Sequence, residues 1–154
     1  MTFAITDSPV GPLTLVEVGG ALAGLYLSDH RHQPTIAGPR DDTVLPAVRD
    51  QLDAYFDGTL KEFDVPLAVT GTPFQQQVWK ALATIPYGET WSYRELAEAI
   101  GNPKAVRAVG LANGRNPVSI VVPCHRVVGA DGSLTGYGGG LPAKRFLLDL
   151  EASA

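Results

Sequence analysis

Cys124 is the single cysteine of this 154-residue chain, and it lies in the segment Val-Pro-Cys-His-Arg-Val at residues 122–127. A cysteine acts as a nucleophile in its thiolate form, and a nearby base or positive charge lowers the pKa that controls this form. His125 is a possible base, and Arg126 carries a positive charge. A lone cysteine is also often a small buried hydrophobic residue. Which interpretation applies therefore depends on the surrounding sequence.

Basic residues surround this segment, although the chain as a whole has a net charge of −4. Residues 1–71 hold 4 Lys/Arg and 10 Asp/Glu, whereas residues 72–154 hold 8 and 6. No acidic residue occurs between Glu98 and Asp131, and the basic residues there are Lys104, Arg107, Arg115 and Arg126. Such a local excess predicts a nucleic-acid partner, and a plain solvated face is the alternative.

Composition excludes several classes of protein. No apolar run approaches the ~20 residues of a membrane span, and the first residues show no signal-peptide pattern. One cysteine excludes an internal disulfide and any zinc site that needs two thiolates. His30 and His32 have no further ligands nearby, so no metal and no cofactor is predicted. We expect a cytoplasmic protein without a membrane partner.

Residues 1–70 have the pattern of a small β-rich domain with one helix. Alternating apolar residues predict strands at 3–6, 13–18 and 22–27, separated by turn residues in the manner of a hairpin meander. Residues 28–43 read as a loop. Helical spacing follows at 44–56, and 62–69 is a candidate fourth strand.

Residues 71–154 have a mostly helical pattern. Thr72-Pro73 is typical of a helix start, and Ser92 to Glu95 has the spacing of a capping box for a helix that ends at Gly101. Asn102-Pro103 is expected to cap a further helix that ends near residue 112. These last two helices outline a helix-turn-helix, with an ordinary helical hairpin as the alternative. The small residues on the second helix would let it approach a surface closely; they are Ala105, Ala108, Gly110 and Ala112.

The remaining segments lie on either side of Cys124 in the sequence. Asn113-Gly114 is a turn signal, and the apolar residues before Cys124 predict a strand. The glycine-rich segment 135–140 predicts a loop; it lacks the Lys-Ser/Thr ending of a phosphate-binding loop. A closing helix is predicted over 142–150.

Residues 72–151 resemble the O6-alkylguanine-DNA alkyltransferases. The resemblance rests on Pro-Cys-His-Arg-Val-Val and on further segments in the same order, which are Gln-Gln-Gln-Val-Trp-Lys (75–80), Ile-Pro-Tyr-Gly-Glu-Thr (85–90), Ser-Tyr (92–93), Gly-Asn-Pro-Lys-Ala-Val-Arg-Ala-Val-Gly (101–110), Asn-Pro (116–117) and the glycine-rich loop. Residues 1–70 resemble the family more weakly. The resemblance implies an α/β chain of the α+β type. A ribonuclease-H-like β-sheet domain (1–70) precedes a mostly helical, winged helix-turn-helix domain (71–154).

The family resemblance also implies a reaction on double-stranded alkylated DNA. The Cys124 thiol takes the alkyl group from O6 of guanine, with O4 of thymine as a further candidate, and keeps it. Tyr93 would assist rotation of the nucleotide, and Arg107 would fill the vacated stack, on a helix lying in the minor groove. The resemblance implies a substrate pocket formed by Asn116, Pro117, Val127, Tyr137 and Gly138. A monomer is expected; cooperative binding on DNA stays open.

His125 is the expected base, but side chains of adjacent residues in an extended chain point to opposite faces. Either the chain turns at Cys124 or a water links the two groups; the resemblance implies a water, with Glu151 holding the other ring nitrogen. Two other functions are open. A helix-turn-helix regulator needs no reactive thiol, and a papain-like thiol hydrolase would form a thioester and turn over repeatedly.

Overall fold

The N-terminal part of the chain contains an antiparallel sheet. The structure is a computed structural model that describes residues 1–28 and 33–153. Its first strands, β1 (Thr2–Thr6), β2 (Leu13–Val18) and β3 (Ala21–Leu27), pair in sequence order. Gly19 and Gly20 join β2 to β3 with φ of 60° and 83°, which a two-residue hairpin requires and glycine adopts at little cost. The predicted hairpin meander is confirmed.

Helix α1 (Pro46–Phe56) follows the loop. It begins two residues later than predicted, because Leu45 adopts a left-handed conformation with φ of 55° and Pro46 then starts the helix. Val48, Leu52 and Tyr55 are its buried residues. Their spacing of four and three positions places them on one helical face, which the sequence pattern predicted.

The candidate strand at 62–69 is wrong. Only a single parallel bridge forms, between Leu67 and Leu22 of β3. The Leu22 amide donates to the Pro66 carbonyl (2.9 Å), and the Ala68 amide donates to the Leu22 carbonyl (2.9 Å). Proline has no amide to donate, so Pro66 cannot extend a ladder.

The helical part begins with α2 (Pro73–Leu82) and continues through the short strand β4 (Trp91–Ser92) into α3 (Tyr93–Ala99). Thr72 and Ser92 each accept a hydrogen bond from the backbone amide three residues later, and both predicted helix starts are confirmed. Gly101, with φ of 76°, follows the end of α3, as expected for a glycine after a helix.

Helix α4 (Val106–Gly114) packs against α2 and α3. It differs from the prediction at both ends. Its N-cap is Ala105 and makes no side-chain hydrogen bond, while Asn102 only closes the preceding turn by accepting from the Ala105 amide (3.0 Å). Asn113-Gly114, predicted as a turn, forms the last residues of the helix.

No strand leads to Cys124. Ile120 has φ of 73°, and the Val122 amide donates to the Val118 carbonyl (3.0 Å), so this apolar segment is a compact turn. It is apolar because it is mostly buried rather than because it pairs in a sheet. Beyond it, β5 (Val127–Val128) pairs with β4 in parallel. The last helix, α5 (Leu141–Ala152), begins one residue earlier and ends two residues later than predicted.

One continuous apolar core joins the sheet, α1 and the helical part. Leu25 of β3 also forms a parallel bridge to Val118, with its amide donating to the Pro117 carbonyl (2.8 Å). The fold class is confirmed: a small N-terminal sheet with a helix precedes a mostly helical C-terminal part. Within the described ranges, no helix has both the length and the apolar character needed to cross a bilayer.

Candidate active site

Cys124 opens a single turn of 3-10 helix, Cys124–Arg126, and is almost completely buried. The Arg126 amide closes this turn on the Pro123 carbonyl (3.0 Å). Successive side chains on a 3-10 turn point about 120° apart. The chain therefore does turn at Cys124, but His125 Nδ1 makes no hydrogen bond to the Cys124 side chain, so the turn alone does not join the two groups.

Two asparagines hold the backbone around the cysteine. Asn116 Nδ2 donates to the Val122 carbonyl (2.8 Å), and its Oδ1 accepts from the Val118 amide (3.1 Å). Asn113, near the end of α4, directs its Nδ2 at the Cys124 carbonyl (3.5 Å). Asn113 thus links the second helix of the predicted helix-turn-helix directly to the cysteine turn, a role that the sequence analysis did not give to it.

Glu151 on α5 organises the other two residues of the turn. Its Oε2 lies 2.7 Å from His125 Nε2, and its two oxygens accept from Arg126 Nε (2.8 Å) and Nη2 (3.1 Å). Arg126 Nη1 donates to the Ile85 carbonyl (2.7 Å). The predicted pairing of His125 with Glu151 is present. Arg126 is a buried counter-ion of Glu151, so it does not belong to a surface patch for nucleic acid.

The tautomer of His125 follows from these contacts. An ionised carboxylate accepts a hydrogen bond and cannot donate one, so the Nε2 beside Glu151 carries the proton. His125 Nδ1 is buried and has no hydrogen-bond partner among the protein atoms described. In the neutral imidazole this nitrogen has a free lone pair. His125 can accept a proton there while Glu151 stabilises the resulting imidazolium.

Burial dominates the acid-base properties of the site. It raises the pKa of the Cys124 thiol, and the Asn116 side chain and the Lys144 charge offset only part of this effect. It lowers the pKa of His125, against the opposing effect of Glu151. Burial alone would raise the pKa of Glu151, but hydrogen bonds from His125 and Arg126 bring it to about 2. The resting site thus holds a neutral thiol, a neutral imidazole and a carboxylate, so a thiolate forms only with a proton transfer.

Lys144 is a site residue that the sequence analysis missed. Its side chain is fully buried, and Nζ donates to the carbonyls of Val127 (2.6 Å) and Thr135 (2.7 Å). Burial lowers its pKa to about 8, although the nearby Cys124 acts in the opposite direction. One signal was available. Lys144, Leu147 and Glu151 share a helical face, and a lysine on a face that otherwise points inward is unusual.

Tyr93 lies where α3, α4 and the glycine-rich loop meet. Its Oη donates to the Thr135 carbonyl (3.3 Å) and accepts from Thr135 Oγ1 (3.1 Å). A Cβ atom on Gly110 of α4 would lie 3.6 Å from the Tyr93 ring, in ordinary contact. Because Thr135 also accepts from Lys144, hydrogen bonds connect Tyr93 through Thr135 and Lys144 to Val127, the residue after the cysteine turn.

Helix α4 presents part of its predicted surface to solvent. Arg107 and Ala108 are exposed and Ala105 is half-buried. Leu111 adds an apolar side chain that is 70% exposed. Ala112 does not belong to this face: it is buried, and its carbonyl accepts a hydrogen bond from Trp79 Nε1 (2.9 Å). Ala112 lies five positions after Arg107, which places it on the side of the helix that faces α2.

The residues predicted to form the substrate pocket divide into two groups. Val127, which follows the cysteine turn, and Tyr137 and Gly138 of the glycine-rich loop are buried. An open cavity of about 540 Å³ is lined by Ser28 and residues 136–141. Pro117 lies elsewhere, at the junction with β3, where its carbonyl accepts from Leu25. Asn116 supports the backbone, as described above.

The part of the chain that the structure describes contains no group of three His, Cys, Asp or Glu residues that could hold a metal ion. The pair His30 and His32 lies outside the described residues. The histidine in the site, His125, is bound to Glu151 through one nitrogen and is buried.

Comparison with known proteins gives matches along almost the whole chain. Residues 1–69 match the ribonuclease-like domain, and residues 73–153 match the DNA-binding domain, of 6-O-methylguanine DNA methyltransferase. The chain is 57% identical to the methylated-DNA--protein-cysteine methyltransferase of Mycobacterium tuberculosis (96% of this chain, 90% of that one) and 52% identical to that of Methanosarcina acetivorans (99% of each).

A solved structure agrees with these matches. The crystal structure of Mycobacterium tuberculosis OGT in complex with DNA is similar to this chain with a TM-score of 0.96 and 55% identity, covering 99% of this chain and 94% of that one. Two family models that together span both halves, and relatives above 50% identity over nearly full length, agree with the resemblance seen in the cysteine motif. The chain belongs to the 6-O-methylguanine DNA methyltransferase family.

Proposed function

We propose that this protein repairs DNA directly, by moving a methyl or larger alkyl group from O6 of guanine in a duplex onto the sulfur of Cys124. The observation that carries the proposal is the turn at Cys124–Arg126, where a free buried thiol precedes a histidine fixed by Glu151. The names of the relatives, and the DNA in the mycobacterial complex, support the substrate. No cofactor is required, because the thiol itself is the acceptor.

The proton transfers follow from the charges of the site. The thiol of Cys124 gives its proton, through a bridging water, to Nδ1 of His125, and Glu151 stabilises the imidazolium. The thiolate attacks the alkyl carbon, the S–C bond forms, and the C–O6 bond breaks with its electron pair left on guanine. Guanine gains a proton and returns to its normal form, with Tyr93 as the proposed donor or hydrogen-bond partner. The proton held by His125 then passes to Tyr93 or to solvent, so that both side chains end neutral. The products are a thioether and an unmodified base.

The target atom lies inside the base stack, so the nucleotide must rotate out before it can reach a buried thiol. Helix α4 offers the proposed surface for this step, in the minor groove of the duplex. Arg107 is exposed there beside Ala108, and its planar guanidinium could occupy the space that the rotated base leaves. Val127, Tyr137 and Gly138 are the proposed pocket for the base.

Three further features complete the proposal. A thioether has no leaving group that water or a neighbouring side chain could displace under mild conditions, so each molecule reacts once. The protein acts as a monomer in the cytoplasm. Cooperative binding of several molecules along DNA is compatible with the same chemistry. The division between its two domains falls at residues 70–72.

Intact-protein mass spectrometry after incubation with a duplex containing one O6-methylguanine tests this function. The proposal predicts a gain of one methyl group, mapped by peptide digestion to Cys124, and an unmodified guanine in the DNA. A regulator would bind the duplex and stay unmodified. A thiol hydrolase would be labelled by an activated ester and would leave O6-methylguanine unchanged, and either result would overturn the proposal.

A further inference from the structure

Tyr55 brings a hydroxyl group from the N-terminal part of the chain to the active-site carboxylate. It lies on α1 and is completely buried. Its Oη donates to Glu151 Oε2 at 2.6 Å, across 96 positions of sequence. The aromatic rings of Phe63 and Tyr87 pack against it, with centroids at 5.4 and 6.3 Å. The hydroxyl is therefore fixed by a rigid surrounding as well as by its hydrogen bond.

The apolar core does not require this hydroxyl. Phenylalanine would fill the same space and bury the same ring, without the cost of removing a hydroxyl from water. Burial and the neighbouring Glu151 raise the pKa of Tyr55, so its hydroxyl stays protonated and acts as a donor. What the hydroxyl adds is one short hydrogen bond to a charged group, the stronger kind of hydrogen bond in proteins.

Oε2 of Glu151 is the oxygen that matters for the reaction. It accepts from Tyr55 Oη, from Arg126 Nη2 (3.1 Å) and from His125 Nε2 (2.7 Å). Arg126 is neighbour to His125 on the same turn, whereas Tyr55 approaches from a different element. Tyr55 therefore holds the carboxylate from an element outside the cysteine turn.

We propose that Tyr55 is a positioning residue for alkyl transfer, and that its hydroxyl holds Glu151 where the carboxylate fixes the Nε2–H tautomer and the orientation of His125. Only the DNA-repair test of this inference depends on the proposed function. The N-terminal part of the chain thereby has an indirect role in the reaction, through the hydroxyl group of Tyr55.

The change Tyr55→Phe removes only this atom. The carboxylate loses one donor, so more of its negative charge acts on His125 and the imidazole binds a proton more readily. The titratable and charged groups around the pair, namely Arg126, Lys144, Cys124, Tyr87 and Tyr137, remain in place. Because a protonated His125 cannot accept the thiol proton, the acidic limb of the pH–rate profile moves to higher pH. The freer carboxylate also lowers the maximal rate.

We expect the single-turnover transfer rate of Tyr55→Phe at its optimal pH to fall about 5- to 20-fold, less than the ~10²–10⁴-fold that a positioned base itself contributes. Val48→Ala is the matched control, because Val48 is a buried residue of the same helix and its apolar side chain cannot hydrogen-bond to Glu151. It should lower the melting temperature and leave the rate and the pH profile at wild-type values at 25 °C.

Reaction of Cys124 with iodoacetamide gives a second readout that needs no DNA. Its pH dependence should shift in Tyr55→Phe in the same direction, whether or not the DNA assay supports the proposed function. Tyr55→Phe combined with Glu151→Gln should add little to Glu151→Gln alone, since residues that act through one group are not additive. A Tyr55→Phe protein with lowered melting temperature but wild-type rates and pH profiles in both assays would make Tyr55 a purely structural contact.

Discussion

At the scale of single residues, three consecutive side chains have three different environments. Cys124 is a buried neutral thiol, His125 is a buried imidazole with one free nitrogen, and Arg126 is a buried cation. Glu151 binds the last two at the same time. A positive charge next to a cysteine in sequence suggests thiolate stabilisation, but here Arg126 is paired with Glu151. The proposed mechanism therefore assigns deprotonation of the thiol to His125.

Cys124→Ser tests the acceptor directly. A hydroxyl with no strong base is a far poorer nucleophile than a thiol near neutral pH, so we expect alkyl transfer to be abolished. The small isosteric change should leave affinity for the duplex within about twofold, a free-energy change below 1 kcal/mol. Rates come from a single-turnover repair assay and affinities from fluorescence anisotropy. Methyl transfer by the serine variant would contradict the assignment.

Glu151 should make the stability of the protein sensitive to acid. Its pKa is about 2 in the folded state against an ordinary value of 4.5. A lowered pKa gives stability that is present above pH 4.5 and is lost as the pH falls towards 2. Between pH 7 and pH 3 this one group should account for about 2 kcal/mol of the free energy of unfolding.

Urea unfolding of Glu151→Gln at the two pH values measures this effect. The variant should be less stable at pH 7, by about 3 kcal/mol or more, because Arg126 loses its buried counter-ion. It should then lose about 2 kcal/mol less than the wild type on going to pH 3. Asp149→Asn, an exposed position on the same helix, is the control and should change both values by under about 0.5 kcal/mol. Equal acid sensitivity of Glu151→Gln and wild type would contradict the explanation.

At the scale of elements, local signals predicted the helices better than the strands. Thr72 and Ser92 cap their helices through contacts within four residues, so the sequence alone contains the cause. In residues 62–69, Phe63, Val65 and Val69 only pack partly buried against the core, whereas the segment before Cys124 is apolar because it is mostly buried. Apolar runs of that length do not distinguish a strand from a buried turn.

Helix α4 has a testable role at this scale, through Arg107. If Arg107 fills the stack that the rotated base leaves, its planar guanidinium is the useful part, and lysine is a poor substitute. Arg107→Ala should then slow repair strongly in a normal duplex and less at a mismatch or in a single strand, where less unstacking is needed.

Repair rates of wild type, Arg107→Lys and Arg107→Ala on those three substrates decide between the two roles. Arg115 is an exposed basic residue at the end of the same helix. The variant Arg115→Ala controls for the loss of one positive charge and should change the repair rate by the same factor on all three substrates. An equal loss for Arg107→Ala on every substrate, with full activity for Arg107→Lys, would leave Arg107 as a simple phosphate contact.

At the scale of the whole molecule, the sheet and the helical part share one apolar core and are also joined by hydrogen bonds. The backbone of Leu25 bonds to both Pro117 and Ser119, and Tyr55 bonds to Glu151. The sequence contained the fold class and the pair His125 and Glu151, because the family resemblance covers them. It gave no signal for the contact from Tyr55, since a buried tyrosine on an amphipathic helix looks like any other core residue until tertiary structure places its hydroxyl.

The stoichiometry of repair is the most direct test of the central claim, that Cys124 takes the alkyl group and keeps it. A fixed amount of protein is incubated with a severalfold excess of duplex carrying O6-methylguanine, and repaired guanine is followed with time together with the methyl content of Cys124. We expect repaired guanine to rise to a plateau of one per active protein molecule and to match the methylated Cys124 throughout. Repair that continues past that plateau, or a methyl group found on any other residue, would contradict it.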